Sequence, residues 1–367
     1  MVQPISAADQ LQAGGALQST RLYIEREEDA RLRRLLQDGE FCHVLAPSQT
    51  GKTSLAKRAA AHLEASGLLT VQIDFNERYS PQIGPEDFYF DVMRDIATRL
   101  SLQDDFREWI DTCPDRRLQP FFVNFLLPRF AQRVVVFLDE FDDLLEASFR
   151  QEFLLQLRAL FNARSTSAEL SRVSFCLIGT FPTEAFLSGS NRSAFNIVHQ
   201  ILLSDFAADE VKEFAALMRP ITPNPDKLLE EVYDLTGGHP YMLQKMLREL
   251  IRGDFLPVPR IRSVVTELAR QLFMPNRDAV VSRIGKLISS DVASVRSEDK
   301  LRLYQALWEA GELDYRPQEF VQLALRLTGA AVIQRREEGM FLAVRNRVVA
   351  DAFDDKWITA KIGRAHV

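Results

Sequence analysis

Cysteine is scarce: Cys42, Cys113 and Cys176 are the only three in 367 residues. Thiols so few and so scattered supply neither a disulfide framework nor a CxxC zinc site, and they fit a reducing compartment. The five histidines never fall at i, i+3 or i+4, so no helix presents a pair of imidazole metal ligands. No stretch approaches the ~18 consecutive apolar residues of a membrane span. The amino-terminal MVQPISAADQLQAGG lacks the basic start and apolar core of a signal peptide. Basic excess is missing too. The 45 Lys and Arg stand against 51 Asp and Glu, a net charge of −6, which argues against non-specific nucleic-acid binding as the main task. These absences exclude secreted and membrane-spanning classes and lead us to expect a soluble, cytoplasmic protein. What the chain has in quantity is core-forming material. Its residues are 46% hydrophobic and 26% charged, enough to bury a real interior, and the length suits two or three domains of roughly 150 residues.

The last seven residues, KIGRAHV (361–367), resemble the translation of a common sequencing adapter. They are read as a non-native tail and set aside, with the natural chain expected to continue past Ala360.

In the first half, short apolar runs alternate with helical periodicity. FCHVLA leads into a polar loop containing Pro47 and then a helix from Thr53 to about Ser66. LLTVQIDF (68–75), RVVVFLDEF (133–141) and RVSFCLIGT (172–180) read as further strands, with helices over 85–130, interrupted near Cys113–Pro114, and over 148–165. The last two runs are continuously apolar, as in parallel strands buried on both faces. Strands alternating with helices predict an α/β fold with a doubly wound parallel sheet. After about Asp205 the character changes. Residues 208–272 read as helices only, broken at Pro220–Pro225, Gly237–Pro240 and Asp254–Pro259. Residues 280–360 give two helices, the hairpin AAVIQRR–EEGM–FLAVRN and a final helix, a pattern that fits a winged-helix module. The expected division is an α/β core (1–206), an α-helical lid (207–275) and a winged-helix domain (276–360).

The loop after the first strand is Ala46-Pro47-Ser48-Gln49-Thr50-Gly51-Lys52-Thr53-Ser54, which is G-x-x-x-x-G-K-[ST] with alanine in the first place. Gly51 lets consecutive N–H groups curl toward phosphates at the positive end of a helix dipole. Lys52 would reach the β- and γ-phosphates, and the Thr53 hydroxyl would ligate Mg²⁺. A methyl at Ala46 costs little while its φ stays negative. Alone, the string would also suit an ordinary turn before a helix. A second segment, Val134–Glu140 (VVVFLDE), lies 87 residues beyond Lys52 as counted to Asp139. Asp139, at the carboxyl end of a parallel strand, would hold Mg²⁺, and Glu140 would orient and deprotonate an attacking water. With Asp142 and Asp143 following, the same acids could instead be a capping cluster. Gly179-Thr180 ends the fourth strand, where a polar side chain can sense the γ-phosphate or position the water; an ordinary strand-end turn would look the same.

Together these residues resemble an AAA-like ATPase domain of the STAND type, in the AAA+ P-loop NTPase superfamily and related to origin-recognition ATPases. The resemblance spans nearly all of 14–358. It is carried by Gly14–Leu17, Tyr23–Glu27, GEFCHVLAPSQTGKTSL, FLDEFDDLL, Arg158 with Phe161–Arg164, Ala194–Ile197 before LLSDF, Thr236–Tyr241, and LRLTGAAVIQRREEGMFLAVRNRVVADAFDDKW. Glu25 stands where the family usually has glycine before its arginine, and Ser48-Gln49 replaces the frequent Arg-Gln. The resemblance implies that ATP or ADP binds with Mg²⁺ on Ala46–Ser54, with the Arg26 segment near the adenine. It implies that Gly238-His239-Pro240 lays its proline against the base and that Thr180 takes the sensor-1 role. It also implies that Arg345, Asn346 and Arg347 lie near where such proteins hold a closed, ADP-bound state, and that Arg164 or Arg192 could serve as an arginine finger in a nucleotide-dependent homo-oligomer. The implied function is an ATP-driven switch with slow hydrolysis, signalling to a protein effector or sensor domain. A DNA-handling ATPase is the alternative. It is disfavoured by charge, since residues 251–360 carry 17 basic and 15 acidic side chains, although Arg335, Arg336, Arg345 and Arg347 sit on or beside the hairpin. An ATP-binding scaffold without turnover is the third.

Overall fold

The structure is a computed structural model, and it describes residues 6–15, 21–76, 83–113, 117–185, 197–291 and 295–365. By internal contacts the chain divides into two compact units, one of residues 27–45 and 52–203, the other of 1–26, 46–51 and 204–367. Among the described residues no helix is long and apolar enough to cross a membrane.

The first unit runs α1 (Glu27–Gln37), β1 (Phe41–Leu45), α2 (Lys52–Ala65), β2 (Leu69–Asp74), α3 (Pro85–Arg99), α4 (Gln103–Thr112) and α5 (Leu118–Pro120). It continues through β3 (Val134–Asp139), α6 (Arg150–Ala163), β4 (Val173–Gly179) and β5 (Val198–Leu202). Its sheet has the order β2-β3-β4-β1-β5, and every neighbouring pair is parallel. The continuous apolar runs explain the middle of the sheet. All residues of β1, β3 and β4 are buried, as a parallel strand covered on both faces requires.

Two local expectations need correcting. The helical stretch from residue 85 breaks first at Leu100–Leu102, where Ser101 takes a left-handed φ of 59°, before the second break near Cys113. Residues 198–202 form a strand that no apolar run announces. It is an edge strand, with Ile201 buried and its other residues partly or fully exposed. One buried face at an edge leaves no continuous hydrophobic signal. The core of this unit is strongly aromatic: Phe75, Phe88, Phe149 and Phe153 pack together, with Phe88 and Phe149 centroids 4.6 Å apart.

The second unit contains α7 (Ala215–Met218), α8 (Pro225–Thr236), α9 (Pro240–Arg252), α10 (Ile261–Leu272), α11 (Ala279–Ile288) and α12 (Ser297–Ala310). These are followed by β6 (Glu312–Asp314), α13 (Phe320–Thr328), β7 (Ala331–Arg336), β8 (Gly339–Val344), α14 (Arg347–Ala352) and α15 (Asp355–Ala365). The hairpin is present, turning at Glu337–Glu338, and it gains a third antiparallel strand in the order β6-β8-β7. Two elements go beyond the sequence reading. β6 is only three residues long, and α11 is a separate helix capped by Asp278. The final helical segment divides into α14 and α15.

Candidate functional site

In a parallel sheet the ligand-binding end is the carboxyl end of the strands. Here β4 lies between β3 and β1, so the residues that follow these three strands converge. Lys52 opens α2, and its Nζ lies 3.4 Å from the Thr180 hydroxyl just beyond β4, with both residues buried. The Thr53 hydroxyl faces the Asp139 carboxylate and helps hold its pKa down, and the Glu140 N–H donates to Asp139 Oδ1 at 2.9 Å. Lys52, Thr53, Asp139, Glu140 and Thr180 are therefore one cluster, although they come from three separate segments. Ser54 follows, buried in α2.

Glu140 leaves the strand with a left-handed φ of 51°, a conformation that costs free energy in a residue with a Cβ and marks functional turns. Its neighbour anchors the turn. Phe141 is buried against Phe75 and Phe153, with centroids 6.3 and 6.2 Å away. Burial raises the pKa of both Asp139 and Glu140, opposed in each case by the Lys52 ammonium. For Asp139 the Thr53 and Glu140 hydrogen bonds also oppose the rise. A carboxyl shifted upward beside a cation is suited to taking a proton from water.

Asp142 is the member of this cluster that sequence reasoning missed, because beside Asp143 it read as helix capping. Its Oδ2 accepts the Thr180 N–H at 2.6 Å and its Oδ1 accepts the Phe181 N–H at 3.0 Å. The only signal in the sequence was its position three residues after Asp139.

The loop residues Ala46–Gly51 belong with the second unit. Ala46 keeps a negative φ, whereas Gln49 (φ 63°) and Gly51 (φ 95°) are left-handed. Arg26 is buried and grips the loop from its backbone. Its Nη1 donates to the Thr50 carbonyl at 3.0 Å and to the Ser204 carbonyl at 2.9 Å, and its guanidinium lies 5.4 Å from the Phe206 ring centroid. A Cβ at Gly51 would come 3.2 Å from Arg26 Nη2, so the guanidinium would have to give a little, but it is the φ of +95° that calls for glycine. The Thr50 hydroxyl donates to the Pro47 carbonyl at 2.8 Å and closes the turn, while Ser48 is half-buried and Gln49 exposed.

His239 caps α9 and Pro240 is its first residue, the place where proline is favoured. Both are fully buried or nearly so. Among the described residues neither ring nitrogen of His239 has a hydrogen-bond partner, and burial beside the Arg345 guanidinium lowers its pKa to about 3. Gly238 is packed so closely that a Cβ would fall 2.0 Å from the Phe206 carbonyl oxygen. Arg345 pairs with Asp205, and Asn346 donates to the Thr236 carbonyl at 2.7 Å while capping α14. Arg347 is the first residue of α14. Arg164 sits at the amino end of β1, its guanidinium over the Phe41 and Phe161 rings at 5.6 and 5.2 Å. Arg192, Ala194–Asn196 and Ala16–Leu17 lie outside the described residues.

A family model described as an AAA-like domain matches residues 11–260. An uncharacterized WD repeat-containing protein of Synechocystis sp. is 27% identical over 372 residues. That match covers 96% of this chain but 31% of the relative, so the chain spans just under a third of the relative's length. Among solved structures, the Walker-type ATPase of Pyrococcus abyssi has a TM-score of 0.55 at 19% identity, with 94% of this chain and 99% of that one covered. The Aeropyrum pernix ORC2 protein, in its ADPNP–ADP complexes, has a TM-score of 0.47 at 15% identity, covering 97% and 98%. The likeness to the Pyrococcus protein bears out the expected α/β fold. The family model covers both motifs of the cluster above, the loop ending in Lys52-Thr53 and the strand ending in Asp139-Glu140. The chain belongs to the AAA-like domain family and carries an AAA+-like P-loop ATPase domain.

Proposed function

We infer that the protein is an ATP-binding molecular switch that hydrolyses ATP slowly. The observation that carries this reading is the single cluster of Lys52, Thr53, Asp139, Glu140 and Thr180 at the carboxyl ends of β3 and β4. Each type has a task there. Lys52 and the backbone at the start of α2 neutralise phosphate charge. Glu140 orients the attacking water and accepts its proton, and Thr180 helps hold that water or the γ-phosphate.

The residues fit Mg²⁺. A hydroxyl and a carboxylate that face each other offer hard oxygen ligands, and Mg²⁺ beside a nucleotide takes only one or two protein oxygens, with water and phosphate filling the rest. Thr53 and Asp139 would hold the ion, which when bound supplies neutralisation of developing phosphate charge.

In this reading His239 and Pro240 at the start of α9, with Arg26 against the loop, complete the nucleotide-binding set. The nucleotide state biases the arrangement of the helical and hairpin elements of residues 204–367, which we take as a lid followed by a winged helix. The three-stranded sheet packed with α11–α13 supports the latter. A protein effector or sensor is the implied partner. The relative that contains WD repeats is a longer protein, of which this chain matches under a third, and this length supports a partner domain for the switch. The DNA-handling alternative draws on the basic hairpin, but Arg336 is ion-paired to Glu312 at 2.7 Å, which reduces the charge available to a phosphate backbone.

Titration of ATP and ADP against thermal unfolding tests binding, and phosphate release by Glu140→Gln against the parent tests turnover. Stabilisation by nucleotide that Lys52→Ala abolishes is the expected result. Identical melting with and without nucleotide rejects the reading, and binding without phosphate release leaves only the scaffold.

A further inference from the structure

We propose that Asp142 is a positioning residue that holds the Thr180–Phe181 backbone and so sets where the Thr180 hydroxyl stands in the site. The inference rests on the ATPase reading above and deepens it. Both oxygens of the Asp142 carboxylate face backbone N–H groups, Thr180 N at 2.6 Å and Phe181 N at 3.0 Å. An N–H can only donate, so both oxygens act as acceptors. The carboxylate thereby fixes the backbone from which the Thr180 side chain projects. Lys52 Nζ, a donor only, sits 3.4 Å from the Thr180 hydroxyl oxygen, so that oxygen is held beside the ammonium.

The chain makes room for the arrangement at one place. A Cβ on Gly179 would lie 2.7 Å from Asp142 Oδ1, closer than real Cβ atoms approach. The strand therefore ends in a glycine so that the carboxylate can reach the next two amides. Asp142 shares no described hydrogen bond with Asp139 or Thr53, and the comparison with Thr180→Val separates its hold on Thr180 from the effect of its charge on Lys52 and Glu140.

The test compares the full chain with Asp142→Asn, Gly179→Ala, Thr180→Val, Thr180→Ser and the Asp142→Asn/Thr180→Val double variant. Three quantities are read: single-turnover phosphate release, ATP and ADP affinity, and amide hydrogen exchange at Thr180 and Phe181 without nucleotide. Asp142→Asn and Thr180→Val are each expected to slow release roughly 10- to 100-fold, the scale of a misplaced reacting group. ATP affinity should stay within about threefold, as expected for an interaction that matters mainly in the transition state. The double variant should be no slower than the slower single one, and Thr180→Ser should recover most of the lost rate. Amide exchange should speed up in Asp142→Asn and stay parental in Thr180→Val. If Asp142→Asn does not fold, Gly179→Ala, which displaces the carboxylate from outside, should show the same slowing. A parental rate in Asp142→Asn or Gly179→Ala, additive losses in the double variant, unchanged amide exchange, or an affinity loss equal to the rate loss would each overturn the proposal. A parent that releases no more phosphate than Glu140→Gln defeats the ATPase reading and this inference together, whereas an active parent matched by Asp142→Asn defeats this inference alone.

Discussion

Arg345 Nη2 donates to Asp205 Oδ1 at 2.5 Å, with 4% and 7% of the two side chains exposed. The pair ties the end of β8 to the residues that follow Ser204, 140 positions earlier in the chain. Removing one partner of a buried pair strands the other charge, at a cost of about 3–5 kcal/mol, whereas replacing both by apolar groups is far milder. Urea unfolding of Arg345→Met and Asp205→Leu should show losses of that size, with the double variant more stable than the sum of the two. Additive losses would mean that the two charges do not depend on each other.

Asp278 serves two roles at once. Its Oδ1 accepts the Val280 and Val281 N–H groups that open α11, each at 3.0 Å, and its Oδ2 takes Lys245 Nζ at 2.7 Å and the Tyr241 hydroxyl at 2.8 Å from α9. Asp278→Asn keeps a capping oxygen but strands the Lys245 ammonium, so it should cost about 1.5–3 kcal/mol, while Asp278→Ala loses the cap too and should cost about 1 kcal/mol more. Equal losses in the two variants, measured by chemical denaturation, would show that the cap contributes nothing.

His43 and His239 are buried without hydrogen-bond partners among the described residues, and burial lowers the pKa of each to about 3. In the unfolded chain an imidazole titrates near 6.5. Between those values the unfolded state binds more protons, so stability should be full above about pH 6.5 and fall with pH below it, by up to about 1.4 kcal/mol per unit for each histidine. Burial of Asp139, Glu140 and Asp142 raises their pKa values, and raised carboxylates work in the opposite sense on acidification. The difference between His43→Phe and the parent removes that common background. Its melting temperature should fall less steeply from pH 7 to pH 5, and parallel curves would contradict a neutral, buried His43.

Gly238 and Gly67 both have left-handed φ values, +74° and +85°, but different surroundings. A Cβ on Gly238 would lie 2.0 Å from the Phe206 carbonyl oxygen, whereas one on Gly67 meets nothing within 4 Å. Gly67→Ala should therefore cost only the backbone penalty, roughly 1–2 kcal/mol. Gly238→Ala should cost on the order of 4 kcal/mol or more, the range reserved for forced rearrangements. Comparable melting temperatures for the two variants would show that the close approach can relax.

The parts legible from the chain were those written in contiguous residues. Val134–Leu138 and Val173–Ile178 are apolar at every position except Ser174, because a central parallel strand is covered on both faces. The loop ending in Lys52-Thr53 is legible for a related reason, since its backbone must curl through consecutive residues to meet a phosphate. The edge strand Val198–Leu202 and the three-residue Glu312–Asp314 were not legible. Their pairing partners lie elsewhere, Phe41–Leu45 for one and Phe341–Ala343 for the other, so neither needs an apolar run of its own.

By itself, then, the sequence determined the α/β class, the order of the motifs and the residue types of a nucleotide site, since short-range patterns of hydrophobicity and charge suffice for all three. Only the tertiary structure decided which of the neighbouring acids do more than cap. Asp142 and Asp143 are adjacent and chemically identical, yet only Asp142 meets the Thr180 and Phe181 amides described at the end of β4. The same holds for Arg345, which reads as one basic residue among several until folding buries it against Asp205. The physical reason is common to both. A carboxylate or guanidinium is placed by partners more than 30 residues away, and no local pattern in the chain records which partner it will meet.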